Sequence, residues 1–219
     1  MKSKISGLLV LFFIVGSVWA ETQQTWSFEE LESGSLPENC EATETDGKGQ
    51  KALWEVQEDA TSKLENKCLA ITNNTNRGEM ANILMIKNGV YKNIEFSTKI
   101  KTGTGGKNAG GGIIWRAADE NHYYLAQWNA TSTSLRLYVY IGGKSSLLES
   151  TSVEAASEPW QQIDVIHHDE TIEILFNGES KISIEDKQLD FKGWVGLWAQ
   201  GSAMPSFDDV NLYSDEDAE

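Results

Sequence analysis

Beyond residue 20, apolar side chains recur every second residue and almost never every third or fourth. The segment SLRLYVYI at 134–141 shows it plainly: Leu135, Leu137 and Val139 alternate with Arg136, Tyr138 and Tyr140. Successive side chains of a β-strand point to opposite faces, so this period marks half-buried strands and excludes amphipathic helices. Similar runs span 67–72, 91–102, 111–117, 122–129, 161–167, 171–176, 181–185, 194–199 and 207–213. Asn177-Gly178 and Gly142-Gly143 separate neighbouring runs by two residues. Both pairs tolerate positive φ, which a tight hairpin demands. Many short strands joined this way predict an all-β fold, a two-sheet antiparallel β-sandwich of the jelly-roll type.

The same alternation assigns faces. Burying Trp115 with Ile113 and Ala117 sends Arg116 outward beside Ile114. Burying Tyr124, Ala126 and Trp128 sends Tyr123, Leu125, Gln127 and Asn129 to the other side. Arg116, Tyr123, Gln127, Arg136 and Tyr138 are therefore expected to line one wall. Tyrosine rings stack on the C–H face of a pyranose, and planar donors meet pairs of hydroxyls. Such a wall suits a carbohydrate, and an ordinary solvated sheet face carries the same residue types.

The first 20 residues, MKSKISGLLVLFFIVGSVWA, combine basic Lys2 and Lys4, an apolar stretch and a small-x-small site at Val18-Trp19-Ala20. They read as a secretory signal cleaved near Ala20, and no cysteine stands there to carry a lipid. The expected destination is secreted or periplasmic. Residues 21–213 form one domain, and 214–219, SDEDAE, an acidic tail. Loss of Lys2 and Lys4 takes the formal charge from −15 to −17. With no basic cluster, nucleic acid and anionic membranes are poor partners. A monomer is expected. Cys40 and Cys68, the only cysteines, are expected to pair in an oxidising compartment, and closing that loop would contribute about 3–4 kcal/mol.

Three longer stretches resemble one family. They are GGGIIWRAADENHYYLAQWNATSTSLRLYVYIGGKSSLL, EPWQQIDVIHHDETIEILFNGES and GWVGLWAQGSAMPSFDDVNLY. In order they carry Gly111 to Arg116, Asn121 to Tyr124, Arg136 to Tyr138, Trp160, Asn177-Gly178, Gly193 to Trp198 and Phe207 to Asp209. This order resembles the secreted bacterial laminin-G-like, concanavalin-type jelly rolls, in particular the 3-keto-disaccharide hydrolase family, formerly a domain of unknown function. The resemblance covers nearly the whole mature chain. It implies a carbohydrate or keto-sugar glycoside as partner and an exposed sheet face as its site. Gln127 stands where such proteins often place an arginine, and Cys40 where a tryptophan closes the opening segment. Related sandwiches often hold a structural Ca²⁺ between an early acidic residue and one on the last strand. Here Glu29 or Glu30, with Asp208 or Asp209, would supply it, and Glu30 with Asp209 is the pair expected.

Catalytic residues are not identifiable. Glycoside hydrolysis needs two carboxylates flanking one bond, and the Glu-x-Asp-x-x-Glu spacing common in jelly-roll glycosidases is absent. Asp164, Glu173 and Glu185 read as outward strand residues. His167-His168 precedes Asp169-Glu170 at an expected solvated turn. Three readings follow: an exported carbohydrate-binding domain, a hydrolase of keto-sugar glycosides, and an envelope interaction domain.

Overall fold

Alternation at period two becomes strand after strand wherever one face can be covered. The computed structural model describes residues 22–61, 67–104 and 106–214. The expected signal segment and residues 215–219 of the tail lie outside them. Fifteen strands form: β1 Thr22–Trp26, β2 Cys40–Glu44, β3 Leu53–Glu58, β4 Lys67–Asn73, β5 Ala81–Tyr91, β6 Ile94–Lys101, β7 Gly110–Asp119, β8 His122–Asn129, β9 Ser134–Ile141, β10 Lys144–Ser152, β11 Trp160–His168, β12 Thr171–Phe176, β13 Glu179–Glu185, β14 Gly193–Gln200 and β15 Ser206–Ser214. Among the described residues no helix is long and apolar enough to cross a membrane.

Two antiparallel sheets pack face to face as a jelly-roll sandwich, as the sequence predicts. One has eight strands in the order β13-β12-β11-β6-β15-β4-β3, with β1 also paired to β15. The other has seven in the order β10-β9-β8-β7-β14-β5-β2. Both expected hairpins form, with φ of 52° and 80° at Asn177 and Gly178 and 59° and 74° at Gly142 and Gly143. The run expected over 91–102 is broken. Tyr91 closes β5 and Ile94 opens β6, with a turn at Lys92-Asn93 between them.

The core between the sheets takes every second residue. Ile113, Trp115, Tyr124, Ala126, Trp128, Leu135, Leu137 and Val139 come from the seven-stranded sheet. Ile94, Phe96, Ile100, Ile163, Val165, Ile172, Ile174 and Phe207 face them from the other. Trp115 and Trp128 are thus core residues as expected, stacked against Tyr124 and tilted against Phe176 respectively.

Three expectations meet a different geometry. Cys40 and Cys68 are both free. Cys40 sits in β2 of the seven-stranded sheet and packs against the core. Cys68 sits in β4 of the other sheet, where Leu69 and Ile71 take the inward positions and period two turns Cys68 outward. Burial pushes both thiols up to about 11. Of the expected Ca²⁺ pair, Asp209 sits at a bulge with φ 48°, and Lys99 Nζ meets its carboxylate at 2.6 Å. Glu29 accepts a hydrogen bond from the Lys67 N–H at 2.9 Å. Among the described residues no group of three or more His, Cys, Asp or Glu side chains could hold a metal ion. The third is His167, expected at a solvated turn. It is fully buried, and its Nδ1 accepts the Trp115 indole N–H at 2.8 Å.

Candidate functional site

The outer face of the seven-stranded sheet is unlike a solvated one. Ile83 and Met85 of β5, Ile114 of β7, Tyr123 and Leu125 of β8 and Trp198 of β14 form a second apolar cluster there, all buried. Tyr138, Tyr140 and Trp194 pack against it while keeping part of their surface in solvent. These strands are apolar on both faces, so their sequences read as nearly continuous hydrophobic runs.

Over this floor lies a hollow of about 250 Å³. The sheet contributes Gln127, Asn129, Arg136, Tyr138, Tyr140, Ser145, Trp198 and Gln200, and turns and loops add Glu79, Lys107, Asn108 and Ser132. Register explains the gathering. Gln127 pairs with Arg136, Leu125 with Tyr138 and Tyr123 with Tyr140 across β8 and β9. Outward residues two apart therefore stack into rows. A second hollow of about 350 Å³ adjoins the first, sharing Glu79, Tyr140 and Ser145 and adding Thr45, Asp46, Lys48, Met80 and Gly143.

A hydrogen-bond chain sets the polar groups. Gln127 Nε2 donates to Gln200 Oε1 at 3.1 Å, and Gln200 Nε2 donates to Glu79 Oε2 at 2.9 Å. Two amides thereby orient one exposed carboxylate. Asn129 Nδ2 donates to the Lys107 carbonyl at 3.1 Å, and Thr131 Oγ1 donates to the Gly106 carbonyl at 2.7 Å. Both bonds pin the 3-10 turn Gly106–Asn108 to the rim. Burial pushes the Tyr140 hydroxyl up to about 12, against the effect of a Ser145 hydrogen bond. It therefore stays a neutral donor at any ordinary pH.

Of the five residues expected on the wall, Gln127, Arg136 and Tyr138 line the hollow. Tyr123 shares their face but lies beneath it, fully buried and stacked on Tyr140 with ring centroids 4.5 Å apart. Burial holds its hydroxyl well above the usual phenol range.

Arg116 is elsewhere. The β7–β8 ladder bulges after Trp115, and Arg116 takes φ 46°. Its guanidinium turns inward and donates to the carbonyls of Lys92, Leu189 and Asp169 at 2.9, 3.0 and 2.9 Å. It is 1% exposed and is a structural clamp, not a wall residue. Ala117 follows it out of the core into the outer cluster. Gly193 is required beside this bulge, since a Cβ there would meet the Arg116 carbonyl carbon at 2.4 Å and the Ala117 nitrogen at 2.5 Å. Beyond the expected set the hollow gains Tyr140 and Gln200, both legible by period two from Tyr138 and Trp198. It also gains Glu79 and Lys107, which come from loops without a pattern.

No protein-family model matches the chain, and no curated protein matches it. Solved structures do resemble it. A carbohydrate-binding module, CBM66, from Bacillus subtilis is 15% identical with a TM-score of 0.61, over 79% of this chain and 95% of that one. A protein of unknown function with a galectin-like fold from the same organism is 9% identical, with a TM-score of 0.57 over 87% and 98%. Domain 4 of AbnA, a GH43 extracellular arabinanase from Geobacillus stearothermophilus solved with arabinotriose, is 14% identical, with a TM-score of 0.53 over 87% and 90%. At these identities the likeness is one of fold: the chain is a galectin-like jelly roll.

Proposed function

We propose that this protein is an exported carbohydrate-binding jelly-roll domain of the laminin-G-like type, with its site in the hollow above Tyr123 and Trp198. One observation carries the reading: Gln127, Arg136, Tyr138 and Tyr140 converge from two paired strands on one hollow with an aromatic floor. Phenol rings supply apolar area with a polar tip, and amides and a guanidinium supply planar donors. That combination fits a saccharide, which has both C–H faces and hydroxyl pairs. The likeness to a carbohydrate-binding module and to a domain solved with arabinotriose supports it. The leader-like start supports export, and the family resemblance supports the laminin-G-like type.

The hydrolase reading that the resemblance implies has less behind it. Among the described residues the first hollow is lined by a single carboxylate, Glu79. In the second, Asp46 joins it but is paired with Lys48 at 3.0 Å. A glycan array probed with the mature protein, together with Arg136→Ala and Tyr138→Ala, tests the proposal. Binding by the parent that both variants lose at unchanged melting is expected. Binding that both variants retain would place the site elsewhere.

A further inference from the structure

The first hollow has a polarity that the carbohydrate reading alone does not require. Two cations reach it from separate elements, Arg136 from β9 and Lys107 from the Gly106–Asn108 turn. Neither forms an ion pair among the described residues. The closest protein partner of the Arg136 guanidinium is Ser132 Oγ at 3.5 Å, too long for a strong bond.

That is unusual in a chain with 33 acidic and 18 basic residues. Most other lysines of the described residues are ion-paired: Lys48 with Asp46, Lys87 with Glu41, Lys92 with Asp190, Lys99 with Asp209, Lys101 with Asp59, Lys181 with Glu179 and Lys187 with Glu170. Two unpaired cations at one hollow, where acids outnumber bases almost two to one, leave a local positive field inside a negative one.

The one carboxylate that the described residues bring to the wall stands to one side. Glu79 is shared with the second hollow, along with Tyr140 and Ser145, whereas Arg136 and Lys107 line only the first. Glu79 is also held by Gln200. The backbone of Lys107 is fixed by Asn129, which anchors the root of this exposed lysine at the rim.

We propose that the hollow selects saccharides bearing an anionic group, a carboxylate or a sulfate, seated between Arg136 and Lys107. The inference rests on the carbohydrate reading and names the class of sugar that site takes. A guanidinium meets two acceptor oxygens with parallel N–H groups, and an ammonium adds a point charge. The neutral hydroxyls of the same sugar then fall to Tyr138, Asn108 and Ser132. The net charge of the chain opposes approach of an anion from far away, but salt screens that repulsion beyond about 8 Å at physiological ionic strength. At contact the two local cations dominate.

The test uses the mature chain and three matched ligands: an oligogalacturonate, the same oligosaccharide with its carboxyl groups reduced, and a sulfated galactan oligomer. Affinity is measured by calorimetry at about 20 mM and about 300 mM salt. An acidic ligand is expected to bind at least about tenfold tighter than the reduced one, and salt should narrow the gap. Arg136→Gln and Lys107→Gln should each erase most of that preference at unchanged melting temperature. Which acidic ligand wins tells carboxylate from sulfate. Equal or tighter binding of the reduced ligand, unaffected by Arg136→Gln, would overturn the proposal while leaving a neutral-sugar site in place. No binding of these three or of any member of a neutral glycan array would overturn both this proposal and the carbohydrate reading.

Discussion

The two sheets have the same inner faces and opposite outer ones. Outside the eight-stranded sheet, β6 presents Glu95, Ser97, Lys99 and Lys101, and β11 presents Gln162 and Asp164. Lys99 pairs with Asp209 and Lys101 with Asp59, and Lys101 also lies over the Trp160 ring, 5.3 Å from its centre. The two lysines there are spent within the protein. Outside the seven-stranded sheet, a buried apolar layer carries tyrosines and amides, with two cations that form no ion pair among the described residues. A face whose lysines are already paired has fewer free donors to offer a ligand. A face with an apolar floor and spare donors can exchange them for a partner.

The largest effect that could break this contrast is at Arg116. If it is a clamp, Arg116→Ala strands three carbonyls and should cost about 3–5 kcal/mol, whereas Arg136→Ala should stay within about 0.5 kcal/mol. Urea melts of the two variants check it. Equal losses would mean that both arginines share one role.

Trp198→Ala sharpens the same point. Although it lies on an outer face, Trp198 is only 2% exposed, and its truncation should cost about 3–5 kcal/mol, as for a core tryptophan. A loss under about 1 kcal/mol would show that the outer layer is not a second core.

The buried side of the sandwich carries its own pH signature. Burial, with Arg116 nearby, holds His167 down to about 3. Nδ1 accepts the Trp115 N–H, so the proton of the neutral ring sits on Nε2. The unfolded chain, titrating near the ordinary 6.5, binds more protons between pH 6.5 and about 3. Stability is therefore complete above 6.5 and falls through that window as pH drops, by on the order of 3–5 kcal/mol. Comparing the stability–pH slope with that of His167→Gln, which keeps an acceptor for Trp115, isolates this share. Parallel slopes would contradict it.

Smaller still is Lys99→Ala, expected to cost about 0.2–1 kcal/mol, because an ion pair with both partners partly exposed is weak. Alkylation of the unfolded protein without reductant should modify both Cys40 and Cys68. A mass lacking both adducts would restore the bridge.

How much of this was legible varies with the sheet. Where one face is wet, as in β6 and β11, period two shows clearly in the sequence. In β5, ANILMIKNGVY, both faces are covered and the alternation disappears, so that strand is absent from the expected set. On β9 the reading succeeds, since Arg136, Tyr138 and Tyr140 share a face in sequence and in space. It fails at Arg116 because a bulge resets the alternation, and nothing in IIWRAAD signals a residue at φ 46°. Cys40 and Cys68 misled for a related reason: composition and compartment suggest pairing, but sheet and face decide it. The loop residues Glu79 and Lys107 reach the hollow only through tertiary contacts that no local pattern encodes.

The central claim, that a saccharide docks on the outer face of the seven-stranded sheet, is tested most directly by titrating an isotopically labelled sample with a binding oligosaccharide and following amide and indole resonances. The account predicts shifts concentrated at Gln127, Arg136, Tyr138, Gln200 and the Trp198 indole, with Trp160 and Lys99 unmoved. Shifts centred on Trp160, Lys99 and Lys101, with the hollow silent, would contradict it.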